Sequence, residues 1–106
     1  MNIQKINSLI QFAKRARSIA FKQTLHHFLS KNKVGVVLIA SDASENTVKE
    51  FSGYKKVKFI TYLTKKELGN VLSKEEVSIV GILERNIANQ IIKLSEGGND
   101  WWQEKK

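Results

Sequence analysis

Lys14, Arg15 and Arg17 place three cations within four residues, a grouping able to hold phosphates. At the end of a helix the same cations would complement the negative end of its dipole, and the residues alone leave both readings open. They belong to a wider asymmetry. Residues 1–33 carry seven Lys or Arg and no Asp or Glu, whereas the remainder balances eleven Lys or Arg against ten Asp or Glu, so nearly all of the net charge of +8 sits in the first third. Such a one-signed segment attracts polyanions, and release of their counterions strengthens binding at low salt. A solvated basic helix face is the plainer reading, and nucleic acid is the expected partner class over it.

Other groups with chemical potential point to structure rather than reaction. His26 and His27 are adjacent on a helical stretch, so their side chains diverge by about 100°, a poor arrangement for one metal ion. The expectation is one histidine partly packed and the other near solvent or RNA, with no metal and no cofactor. Asp42 and Glu45 suit the start of a helix, Asp42 as N-cap and Glu45 completing a capping-box-like pair. General acid–base work would need a cleft and a nucleophile that the sequence does not display. With no cysteine there is neither a disulfide framework nor a thiolate metal site.

The elements that must position these groups alternate between helix and strand. Ile3, Ile6, Leu9, Ile10 and Ala13 recur every three or four residues, which predicts an amphipathic helix over 2–16. Residues 19–21 read as a short edge strand and 23–29 as a second helix burying Leu25, Phe28 and Leu29. The apolar run Val36 to Ala40 has no polar alternation, so it reads as a central strand covered on both faces. Ser41 to Thr47 then lies at its carboxyl end, where ligands of layered α/β folds are met. A helix carrying Val48 and Phe51 inward should end at Gly53, followed by a strand over 57–62. Thr64 to Glu67 form a capping box, and Gly69 within the following helix suggests close packing. A turn over 73–76, a strand over 77–83 and a helix over 86–94 complete the pattern. The expected fold is α/β, a three-layer α/β/α sandwich around a mixed sheet of about four strands.

At 106 residues with 42% hydrophobic content, the chain suits one domain, expected over 1–96. Gly97 and Gly98 should end it, leaving a charged tail with Trp101 and Trp102. Those indoles could stack on bases or anchor a partner, and folding back over an apolar gap is the preferred expectation. No apolar run approaches the roughly 20 residues needed to span a bilayer, and the start MNIQKINSL lacks a signal-peptide core, so a cytoplasmic monomer without membrane association is expected.

The segments AKRAR at 13–17, VVLIASDASENT at 36–47, TKKELG at 64–69 and the following SKEEVSIVGIL resemble the kink-turn RNA-binding superfamily of ribosomal proteins named after L-seven-Ae and L-thirty-e. The bacterial YlxQ-like branch is the nearest in likeness, and the match spans most of residues 5–94 in the same order. The resemblance implies an α/β/α sandwich that grips sharply bent RNA through loops at one end of the sheet, without catalysis.

Carried over by position, it implies RNA contacts from Ser44, from Lys65 as a backbone-contacting lysine, and from Lys74 in the loop expected to pack on an extruded base. Where the family opens its second helix with glycine, an Asn or Glu pair and a later lysine, this chain has Phe21, Lys22, Gln23, Thr24, Leu25, His26 and His27. Lys22 and Gln23 replace the pair and His27 stands nearest the lysine. Gln23 keeps an amide able to bond base edges, whereas Lys22 cannot accept from a guanine amino group. The expectation is a protein that binds structured RNA, of ribosomal or kink-turn-like form, whose phosphate contacts persist and whose kink recognition is weakened or changed. The competing expectation is a protein-interaction adaptor on the same scaffold, using the tryptophan tail or Ile19 to Phe21.

Overall fold

Val36, Val37 and Leu38 are fully buried, and successive side chains enter different clusters on the two faces of the sheet. In the computed structural model, which describes the backbone of residues 2–103 and the side chains of residues 2–96, this strand, β2 (Val36–Ile39), lies inside a four-stranded sheet. The remaining elements are α1 (Ile3–Arg15), β1 (Ile19–Phe21), α2 (Lys22–Ser30), α3 (Glu45–Phe51), β3 (Lys58–Thr61), α4 (Lys65–Val71), β4 (Ile79–Ile82) and α5 (Arg85–Gln103). Strand order is β1-β4-β2-β3, with β2 parallel to β3 and β4 antiparallel to both β1 and β2.

Helices cover both faces. Ile6, Ile10 and Ala13 of α1, Leu68 of α4 and Ile87 and Ile91 of α5 pack with Val36, Leu38, Val80 and Ile82 on one side. Leu25 and Leu29 of α2 and Phe51 of α3 pack with Val37 and Ile79 on the other. The expected α/β/α sandwich with a mixed sheet is therefore the fold. The β4 strand is buried throughout, and Gly81 lets α2 pack closely there, with Leu25 Cδ1 2.6 Å from where a Cβ would stand.

Several local expectations are corrected. Asp42 is not the cap of α3. Ser44 holds that position, its Oγ accepting from the Thr47 amide at 3.2 Å, while Asp42 Oδ1 accepts from the Lys65 amide at 2.8 Å and so ties the β2–α3 turn to the start of α4. Val48 is 47% exposed. Thr47 takes the inward position beside Phe51, because Ser44 starts the helix and rotates the inward face to those two residues. The helix ends at Phe51, and no described glycine has positive φ, so Gly53 is not a left-handed cap.

The Thr64–Glu67 capping box forms in full. Gly69 packs as closely as expected, with the Glu75 carbonyl oxygen 2.7 Å from where a Cβ would stand. The helix expected to stop near Leu94 continues through Gly97 and Gly98 to Gln103. The side-chain roles expected for Trp101 and Trp102 fall outside the described residues, as does the end of the tail.

Candidate nucleic-acid interface

Because β1, β2 and β3 all run opposite to β4, their carboxyl ends meet the start of β4 along one edge of the sheet. Four connections converge there. Lys22 and Gln23 open α2 directly after β1; Ser41 to Ser44 link β2 to α3; Leu63 and Thr64 lead into Lys65; and Ser73 to Ser78 return from α4 to β4. Backbone bonds join them: Ser41 N donates to Leu63 O at 2.7 Å, Ala40 N to Ser78 O at 2.8 Å and Val77 N to Lys65 O at 3.0 Å.

Two shallow clefts open on this edge. One of about 220 Å³ is bordered by Lys22, Gln23, Lys74, Glu76 and Ser78, and the other, of about 250 Å³, by Ser44, Thr47, Lys65, Glu76 and Ser78. Glu76 and Ser78 border both, so five residues singled out in the sequence line two adjoining clefts: Lys22, Gln23, Ser44, Lys65 and Lys74.

Their side chains are not equally available. Lys74 Nζ stands 4.8 Å from the centroid of the Phe21 ring, a cation–π placement that holds the ammonium over the end of β1. Lys22 Nζ donates to Thr47 Oγ1 at 3.2 Å and lies 3.9 Å from Glu50 Oε1, so it is drawn toward α3. Ser44 Oγ serves the α3 cap and also donates to Thr47 Oγ1. The exposed amide of Gln23 makes no side-chain hydrogen bond among the described residues, and both its donor and acceptor remain for base edges.

The other four expected residues lie elsewhere. Lys14 Nζ donates to Leu72 O at 2.8 Å, closing the end of α4. Arg15 and Arg17 sit at the α1–β1 junction, where Leu83 N donates to Ser18 O, at the opposite end of the sheet. His27 is exposed and stands edge-on to Phe28, outside both clefts.

Sequence reasoning missed the group that braces this edge. Lys22 and His26 share a face of α2, and Thr47 and Glu50 share a face of α3. His26 Nε2 lies 2.8 Å from Glu50 Oε2, its Nδ1 lies 2.8 Å from the Tyr54 hydroxyl, and the ring stacks on Phe51 at 4.2 Å. In the neutral ring, the carboxylate requires Nε2–H and Nδ1 then accepts from Tyr54. The Lys22/His26 and Thr47/Glu50 spacings were readable, but the pairing across 24 to 28 residues was not. Among the described residues no cluster of His, Asp or Glu is placed to hold a metal ion, and no helix is long and apolar enough to cross a membrane.

Comparison with curated proteins returns no match. Among solved structures, a Bacillus halodurans protein described as of unknown function superimposes with a TM-score of 0.74 at 20% identity, over 85% of this chain and 95% of that one. That likeness is one of fold. The sequence model of the family described as "Ribosomal protein L7Ae/L30e/S12e/Gadd45 family" matches residues 4–92, from α1 into α5 and across all four strands and the whole loop edge. With that span matched, the chain belongs to the ribosomal protein L7Ae/L30e/S12e/Gadd45 family.

Proposed function

We propose that this protein is a non-enzymatic RNA-binding module that meets structured RNA, of ribosomal or kink-turn-like form, along the carboxyl edge of its sheet. The observation that carries the reading is the convergence of Lys22, Gln23, Ser44, Lys65 and Lys74 on two adjoining clefts. Membership in a family of generally non-enzymatic RNA-binding proteins supports the partner class.

Within that edge the roles divide by chemistry. Lys65 and Lys74 are phosphate contacts, which position RNA without reading sequence. Gln23 is the group able to discriminate a base edge, since its amide offers a donor and an acceptor together. Glu76 limits phosphate approach between the clefts, and Glu75 adds to the same charge. The edge is therefore suited to a bent RNA that presents base edges as well as backbone, rather than to phosphate alone.

The test is paired. Lys65→Ala with Lys74→Ala should weaken binding to all structured RNAs and reduce the dependence of log K on log salt by about 2. Gln23→Ala should instead narrow the preference for kinked RNA over a plain duplex. An unchanged salt slope in the first variant removes the lysines from the interface. Recovery of the same protein partner after ribonuclease treatment, from samples holding no RNA, supports the adaptor reading.

A further inference from the structure

The opposite end of the sheet is the more basic one. Lys31, Asn32 and Lys33 form the α2–β2 turn, Lys55 and Lys56 precede β3, Arg85 opens α5, and Arg17 precedes β1. The strand directions bring all four junctions together, and direct bonds tie three of them. Arg85 Nη2 donates to Asn32 O at 2.9 Å, Gly35 N to Ile82 O at 2.7 Å and Leu83 N to Ser18 O at 2.8 Å.

Arg17, Lys31, Lys33, Lys55, Lys56 and Arg85 are all exposed, and none makes an ion pair among the described residues. The one acid in these turns, Glu84, already accepts from the Ile87 amide at 3.0 Å. By contrast, the carboxyl edge sets Lys22, Lys65, Lys66 and Lys74 against Asp42, Glu45, Glu67, Glu75 and Glu76. Among the residues named, net positive charge is thus concentrated at the end away from the loop edge.

This pole also has a receptacle. A cleft of about 350 Å³ lies between the two turns, with Leu29, Val34 and Val57 as its apolar floor and Asn32, Lys55 and Lys56 at its rim. An apolar floor with Lys55 and Lys56 at its rim, and Lys31 and Lys33 on the adjoining turn, suits an unpaired nucleotide, whose base leaves water while its phosphate meets ammonium groups. A duplex keeps its bases stacked within and offers nothing to such a floor.

We propose that this amino-terminal pole is a second RNA-binding surface, specific for an unpaired strand, so that one protein holds two RNA segments at opposite ends of its sheet. The proposal rests on RNA as the partner class but not on the loop edge as its site.

The experiment titrates the whole chain with a short oligouridine and with a kink-turn RNA, across a range of salt. The variant joining Lys31→Ala, Lys33→Ala, Lys55→Ala and Lys56→Ala changes exposed side chains, and its thermal midpoint checks that it folds. It should lose at least about tenfold in oligouridine affinity, and the salt slope should fall by about 2 to 3. The loop-edge variant Gln23→Ala, Lys65→Ala, Lys74→Ala should retain oligouridine binding. In the unmodified protein, saturating kink-turn RNA should leave oligouridine bound.

Oligouridine affinity and salt slope unchanged in the lysine variant overturn the second surface, as does displacement of oligouridine by kink-turn RNA or no oligouridine binding at all. Oligouridine binding that depends on the four lysines, in a protein that ignores kink-turn RNA, upholds this pole and refutes the loop edge.

Discussion

Lys22 Nζ donates to Thr47 Oγ1 across 3.2 Å, joining the first turn of α2 to the first turn of α3 at the rim of the carboxyl edge. Thr47 is only 3% exposed, and its hydroxyl oxygen also receives the Ser44 hydroxyl. The bond gives Lys22 a structural role: from the first turn of α2 it braces two helices. Under the proposed RNA-binding reading, base reading on that side falls to the neighbouring Gln23.

Thr47→Val keeps the shape and removes the acceptor. Lys22 and Ser44 both lose a partner at a part-buried position, so stability should fall by about 1 kcal/mol. For a domain of this size the thermal midpoint should drop by about 4–8 °C. A midpoint equal to that of the unmodified protein would mean that the contact contributes nothing to joining the helices.

Gly69→Ala sets two effects against each other. Helix propensity alone predicts a gain of about 1 kcal/mol. The added Cβ would stand 2.7 Å from the Glu75 carbonyl oxygen and 2.8 Å from that of Lys74, backbone atoms that cannot rotate away. The clash should win, with a net loss of about 1–3 kcal/mol in urea unfolding and displacement of the 73–76 loop from the edge. A stabilised variant would show that the loop yields freely.

Burial pushes the Tyr62 phenol up to about 12 from its usual value of 10.0. Its hydroxyl donates to Asn7 Oδ1 at 2.6 Å, with the Ile3 carbonyl oxygen 3.1 Å away. The unfolded chain releases this proton first, so the contribution is complete below pH 10 and is lost as pH rises toward 12. Urea midpoints measured across that range should fall less steeply in Tyr62→Phe than in the unmodified protein. Parallel curves would remove Tyr62 as a source of the alkaline loss.

Glu76 borders both clefts, and in the proposed RNA complex its carboxylate would oppose phosphate in each. Glu76→Gln should therefore tighten binding to structured RNA severalfold, most at low salt, where screening is weakest. Weaker binding in a titration would instead assign the carboxylate to accepting from a base, the role that Lys22 cannot fill.

The layers were legible because the signals were local and strong. The unalternating run at Val36 to Leu38 specified a strand buried on both faces, and Thr64 to Glu67 specified a helix start whose two reciprocal bonds form. The α3 start was misread because Asp42 and Ser44 are both good caps. The choice fell to a distant partner, the Lys65 amide, which takes the Asp42 carboxylate from 23 residues away. The basic first third was a correct count with no address. Folding sends Lys22 to one end of the sheet and Arg17, Lys31 and Lys33 to the other, a separation fixed by strand order rather than by spacing in the chain.

The most direct test of the loop-edge reading is a binding titration against a kink-turn RNA and a length-matched duplex, at low and at near-physiological salt. Preference for the kink should survive the higher salt, and kink affinity should fall about tenfold or more when Lys65 and Lys74 are both changed to Ala. Equal binding to the two RNAs that fades with salt, unaltered by those substitutions, would contradict that reading.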